Sequence, residues 1–295
     1  MAINAEDAVQ REPDDRLRPP PRARRERVIY RHTLPLRIMH WINAICLFFL
    51  LLSGLQIFNA HPALYWGQRS HFDHPLLAMT AQQAPNGTMR GVTTIGSHAF
   101  DTTGVFGVSN MNGQPQARGF PSWLTIPGPQ WLAMGRHWHF FFAWLFVING
   151  LLFAAYALWS RHLTRDLAPT KTDWRGIGRS IIDHALLRQP KDEEAVRYNI
   201  LQKLTYLIVI FIFGPLIVLM GLSMSPRMDS VLGWLVDLVG GRQSARTIHF
   251  LLAMGFVAFF LIHIFEVIVS GVGNELRSII TGRYAIEEEP SDERE

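Results

Sequence analysis

Four histidines set in apolar sequence are the residues of this chain whose type and spacing could do chemistry. Two lie in "RTIHFLLAMGFVAFFLIHIFEV", Arg246 to Val267, as His249 and His263, fourteen residues apart. On a straight α-helix that separation advances about 1400°, within roughly 40° of four full turns, so both rings share one face about 21 Å apart. A third, His40, closes "RIMHW"; a fourth is His137 or His139 in "GRHWHFFF". Ionisable residues inside a membrane span are costly and tend to face a bundle interior or a functional path. A single buried histidine is more often a hydrogen-bonding residue of the core. Two on one face at opposite depths are harder to explain that way.

The elements that must position them are four apolar runs near the bilayer-spanning length of about 20 residues. They cover roughly 38–58, 137–159, 204–224 and 247–270. A soluble helical core would show polar stripes at the 3.6-residue period, and these runs show none. The expected fold is therefore all-α, an integral membrane four-helix bundle. Residues 1–30, rich in Arg, Pro and Asp, read as a disordered basic segment with no secretory signal. Residues 31–285 form the membrane domain and 286–295 an acidic tail. Basic residues crowd "RPPPRARRERVIYR" and the 160–203 segment, whereas loops 59–135 and 225–245 carry few for their length. The positive-inside bias then places both termini in the cytoplasm and the long loop 59–135 outside it. "DWRGIGRSIIDHALLRQ" and "MDSVLGWLVDLVG" read as helices lying at the two membrane surfaces. The net charge of +4 sits beside the spans and calls for no nucleic-acid partner.

With that topology, depth proposes two pairs: His40 with His263 near the cytoplasmic side, and His137 or His139 with His249 near the outer side. Two imidazole pairs stacked across a bundle suit two haems, each with both axial positions filled. Such a centre has no open site for oxygen chemistry and is fitted to one-electron transfer. Zinc or di-iron sites want three or four ligands, often carboxylates, and the acidic residue deep in a predicted span is Glu266. Cys46 is the chain's single cysteine and there is no C-x-x-C-H attachment motif, so haem would be held non-covalently. Arg37–His40, Arg136–His139 and Arg246–His249 repeat one offset, Arg-x-x-His, which shares a helix face. Arginine forks suit haem propionates; snorkelling at span ends is the ordinary alternative.

"RxxHW", "GRxxHxFF", "YNxxQK" and "H-x13-H", in this order, resemble the di-haem cytochrome b subunits of respiratory enzymes. These are the formate dehydrogenase gamma, nickel-iron hydrogenase and thiosulfate reductase types of the bacterial cytochrome b561 superfamily. The resemblance covers about residues 30–285. It implies two b haems in a bundle of the bacterial cytoplasmic (inner) membrane, with a quinone as electron donor or acceptor near the cytoplasmic haem. It implies His40 and His263 as inner ligands, and His139 and His249 as outer ones. It favours His139 over His137 and puts Asn199 and Gln202 of "YNILQK" near the quinone; a helix cap is the ordinary use of an Asn there. The long loop 59–135 departs from compact members and would sit where an extracytoplasmic oxidoreductase subunit docks, a molybdopterin enzyme being the first expectation.

The expected function is thus an electron-transfer subunit linking the quinone pool to that partner. A stand-alone transmembrane b-type carrier and a histidine-relay transporter are the alternatives; the long loop argues against the first and the lack of paired broken helices against the second. Glu266, three residues from His263, would exchange protons with a quinone or pair with an arginine near the membrane surface.

Overall fold

The computed structural model describes residues 25–186 and 198–288. Its helices are α1 (Leu34–Phe58), α2 (Leu132–Trp159), α3 (Lys171–Ala185), α4 (Ile200–Ile208), α5 (Gly214–Ser223), α6 (Asp229–Leu238), α7 (Arg242–Val269) and α8 (Val272–Thr281). Among the described residues four helices are long and apolar enough to cross a membrane: α1, α2, the composite Ile200–Ser223, and α7. Their outer faces are apolar and uncovered; Leu151 is 67% exposed and Leu261 62%. Water would penalise that surface, whereas lipid tails do not, and helices satisfy their own backbone hydrogen bonds in hydrocarbon.

The third span is not uniform. A wide π turn at Val209–Phe213 separates α4 from α5. Pro215 follows it and brings no N–H for the carbonyl four residues back, which a locally wider turn accommodates. Phe213 then leans on Gly255 of α7, where an added Cβ would meet its ring at 2.6 Å.

The all-α expectation is corrected between α1 and α2. That stretch folds into antiparallel strands β2 (Ala63–Leu64), β3 (Leu77–Gln83), β4 (Met89–Ile95) and β5 (His98–Asp101), ordered β2-β3-β4-β5, with a hairpin β6 (Gly107–Met111) and β7 (Gln114–Arg118). The β6–β7 turn holds Asn112 at φ 53 and Gly113 at φ 79, the left-handed pair that a two-residue hairpin needs. This unit is fastened to one end of the bundle, called here the loop end. Leu55 and Phe58 of α1 share a core with Leu64, Met79 and Phe120. The Asn59 side chain donates to the Phe120 carbonyl at 3.1 Å and accepts from its N–H at 2.6 Å. Thr247 of α7 donates to the Tyr65 carbonyl at 2.7 Å. At the head of α7, Gly241 has φ +130 and a Cβ there would meet Gly67 backbone at 2.5 Å, so only glycine lets the strand unit approach so closely.

At the opposite, terminal end, β1 (Arg25–Tyr30) pairs antiparallel with β8 (Arg283–Glu288), Tyr30 opposite Arg283. Residues 25–30 and 286–288, read above as part of a disordered segment and of the acidic tail, are strand; residues 1–24, 187–197 and 289–295 lie outside the described residues. Arg31 is bonded to both carboxylate oxygens of Glu275, at 3.1 and 3.2 Å. The two surface helices of the sequence reading are present as α3 and α6. α3 starts with a capping box between Thr170 and Asp173. It is tied to α4 by Lys203–Asp173 at 2.8 Å and leaves Trp174, Ile181 and Ile182 exposed.

Candidate haem-binding site

α7 supplies one ring to each end of the bundle. His263 meets His40 of α1 with centroids 6.3 Å apart and planes inclined at 56°. His249 meets His139 of α2 at 6.2 Å and 63°. A metal–imidazole bond of about 2.0 Å on each side, carried through half a ring's width, separates two trans imidazole centroids by roughly 6 Å. Both pairs therefore have the spacing of rings that share one iron, although they come from different helices. His137 is exposed on α2 and lies in neither pair. Two residues turn a helix by about 200°, so only one of His137 and His139 can face α7.

Hydrogen bonds decide the tautomers of the loop-end pair. The Ser53 hydroxyl donates its one proton to the Phe49 carbonyl at 2.5 Å. It can then only accept from His139 Nδ1, 3.1 Å away. His249 Nδ1 lies 2.9 Å from the Ile217 carbonyl, which can only accept. Both rings thus carry the proton on Nδ1 and leave the Nε2 lone pair for a ligand, the arrangement of metal-bound histidine. Helical glycines admit these rings. A Cβ on Gly54 would meet His139 Cε1 at 3.3 Å, and one on Gly221 would meet His249 Cε1 at 3.2 Å. At the terminal end, His263 stacks on Phe259 at 5.8 Å, and His40 Nδ1 is buried without a hydrogen-bond partner in the protein. Asn149 of α2 locks α1 beside His40 by donating to the Met39 carbonyl at 2.9 Å and to Asn43 Oδ1 at 2.7 Å. On imidazole donors, spacing and tautomer, the chain fits a b-type haem.

The remaining residues separate. Arg37 donates to the Ile280 carbonyl at 2.5 Å and keeps a buried, unpartnered Nε. Arg246 donates to the His61 carbonyl at 2.5 Å and sits over the Phe58 ring at 5.4 Å. Arg136 is exposed and lies 5.5 Å from the Phe140 ring centre. Their shared offset therefore does not mean a shared environment. Asn199 and Gln202 form a reciprocal cap on α4. Asn199 Oδ1 accepts from the Gln202 N–H at 2.9 Å, and Gln202 Oε1 from the Asn199 N–H at 3.3 Å. Glu266 pairs with a histidine rather than an arginine, His184 Nε2 of α3 at 3.0 Å. Outside the spans, burial, helped by Arg31 and His40, pushes His32 down to about 4. Burial and Arg246 likewise lower His61.

Sequence reasoning missed Ser53, Gly54 and Gly221. The available signal was a glycine inside an otherwise strong apolar helix, which lowers helix propensity and usually has a packing reason.

A family model described as prokaryotic cytochrome b561 matches residues 96–282, a span that contains His139, His249 and His263 and begins beyond His40. A candidate protein-methionine-sulfoxide reductase subunit, YedZ1, of Azospira oryzae is 31% identical over 144 residues, covering 49% of this chain and 69% of that protein. No solved structure matches the chain significantly.

Proposed function

The chain belongs to the prokaryotic cytochrome b561 family, and on that premise we propose that it is the membrane subunit that moves electrons through two b haems between a quinone and an extracytoplasmic oxidoreductase. Membership makes it a membrane electron carrier of b-haem type; the haem number, the quinone and the partner are the proposal. The observation that carries it is the repetition on α7: two histidine pairs, 6.2 and 6.3 Å between centroids, one at each end of the bundle.

A b haem supplies reversible one-electron oxidation and reduction at its iron. His139 and His249 would hold one at the loop end, and His40 and His263 one at the terminal end. Ser53 and the Ile217 carbonyl orient the first pair. Arg37, with its unpartnered Nε, and Arg246, part-buried beside His61, are suited to propionates; Arg136 at the surface has less to support that role. The terminal end would face the cytoplasm of a bacterial inner membrane, by the basic residues that flank it. Quinone would be handled there, near Asn199, Gln202 and His263, with Glu266 and His184, 3.0 Å apart, as a proton-exchanging pair.

The β-unit gives the loop end a folded surface rather than a slack connection, which favours a docked partner over a stand-alone carrier. The relative's name as a reductase subunit supports an oxidoreductase partner, and the resemblance to respiratory subunits points to a molybdopterin enzyme. The purified protein is expected to give a pyridine haemochrome spectrum of haem b at two per chain, and to be reduced by a quinol in reconstituted membranes. One haem per chain, or none, would refute the two-haem reading; two haems that no quinol reduces would refute the quinone link.

A further inference from the structure

The two loop-end rings rest in notches of the same design on different helices. Gly54 of α1 lies four residues after Leu50, and Gly221 of α5 four residues after Ile217. In a helix the Cβ of residue i stands beside the carbonyl of residue i−4, so a glycine at i uncovers that carbonyl sideways. His249 Nδ1 uses the opening to reach the Ile217 carbonyl at 2.9 Å. His139 Nδ1 reaches the Ser53 hydroxyl at 3.1 Å, and that hydroxyl in turn lies 3.3 Å from the Leu50 carbonyl. A methyl group at either glycine would stand 3.2–3.3 Å from the ring Cε1, tight enough to displace the ring, and 3.5–3.6 Å from the bonding Nδ1. At the terminal end His40 Nδ1 has no such partner.

Donation from Nδ1–H raises the basicity of Nε2 toward a metal. A more basic ligand stabilises ferric over ferrous iron. We propose that Gly54 and Gly221 are positioning residues: each opens a helical notch that lets its histidine donate from Nδ1, and together they lower the midpoint potential of the loop-end haem. The proposal rests on the two-haem reading above. It also gives the two ends different means of control, since both loop-end rings have an Nδ1 partner, the Ser53 hydroxyl and the Ile217 carbonyl, whereas His40 Nδ1 has none. Arg246, near that end, acts in the opposite sense, because a positive charge favours the reduced form; the notches therefore act against a standing charge rather than alone.

The test is a redox titration of the full-length holoprotein in membranes, with haem content measured on the same sample. The loop-end step is identified as the one missing from His139→Ala. Gly54→Ala and Gly221→Ala are expected to weaken ferric stabilisation about tenfold, raising the loop-end midpoint by about 59 mV and leaving the terminal-end step in place. Ser53→Ala, which adds no atoms, moves the same step in the same direction. Gly150→Ala, whose added Cβ meets nothing within 4 Å, moves neither. An unmoved loop-end midpoint in all three site variants, with two haems still bound, overturns the notch proposal and leaves the two-haem reading standing. Equal shifts of both steps, or a shift in Gly150→Ala as large as in the others, overturn it as well. If the glycine variants shed the loop-end haem, Ser53→Ala decides by the same criterion. A wild-type count other than two is the separate failure of the two-haem reading.

Discussion

Alanine at His249 is expected to reduce the haem content from two per chain to one, with the terminal-end haem retained. His249 provides one of the two rings of the loop-end pair, 6.2 Å from His139 between centroids. Its Nδ1 bonds the Ile217 carbonyl, which fixes the ring and leaves Nε2 for a ligand. Alanine would remove one of the two proposed ligands. His139→Ala is expected to give the same result, while His40→Ala and His263→Ala remove the other haem. The control is His137→Ala: its ring is exposed and lies outside both pairs, so two haems remain. Each variant is read by pyridine haemochrome and by the number of steps in a redox titration. Retention of two haems by all four ligand variants would break the pairing. Loss of the loop-end haem from His137→Ala, with His139→Ala intact, would move the ligand two residues along α2.

The second large effect concerns Asn199, where two roles compete for one side chain. As the cap of α4 it accepts from the Gln202 N–H at 2.9 Å, and losing such a cap costs about 1 kcal/mol. As a quinone contact it would use its amide N–H groups, which the cap does not occupy. Serine separates the roles, since its oxygen caps a helix as well as asparagine's but it lacks the amide. Asn199→Ser is expected to keep both haem spectra and thermal stability while slowing quinol-driven haem reduction at least tenfold in stopped-flow measurements. Asn199→Leu loses the cap as well, and is expected to be both slow and less stable. Full-speed reduction in Asn199→Ser beside slow reduction in Asn199→Leu would assign this residue to the cap alone, and the quinone contact would have to be sought elsewhere at the terminal end.

The capping alternative was legible in advance because a reciprocal box depends on residues three apart. The β-unit was not read, although it too left local marks. Asn86-Gly87 and Asn112-Gly113 both lie at hairpin turns, Ala84 bonding Thr88 across the first. Its strands are short and many of their residues are exposed and polar, so neither length nor apolar alternation announces them. What makes them strands is pairing between residues far apart, such as Leu77 with Ile95, and burial of Leu64, Met79 and Phe120 against α1.

By itself the sequence determined the features that rest on local composition and helical period. The four apolar runs are long enough to span a membrane whatever surrounds them. Fourteen residues between His249 and His263 put both rings on one face of any helix drawn through them. Tertiary structure decided everything that depends on how one helix is rotated against another. It turned His139 rather than His137 toward α7, and left Arg37 and Arg246 partly buried but Arg136 at the surface. It gave Glu266 the His184 partner that lies 82 residues away in the chain. It also set Gly54 and Gly221 beside imidazoles of other helices. Apolar length and periodicity are properties of one segment, but a hydrogen bond from a ring on one helix to a carbonyl on another exists only once the two are packed together at a particular rotation.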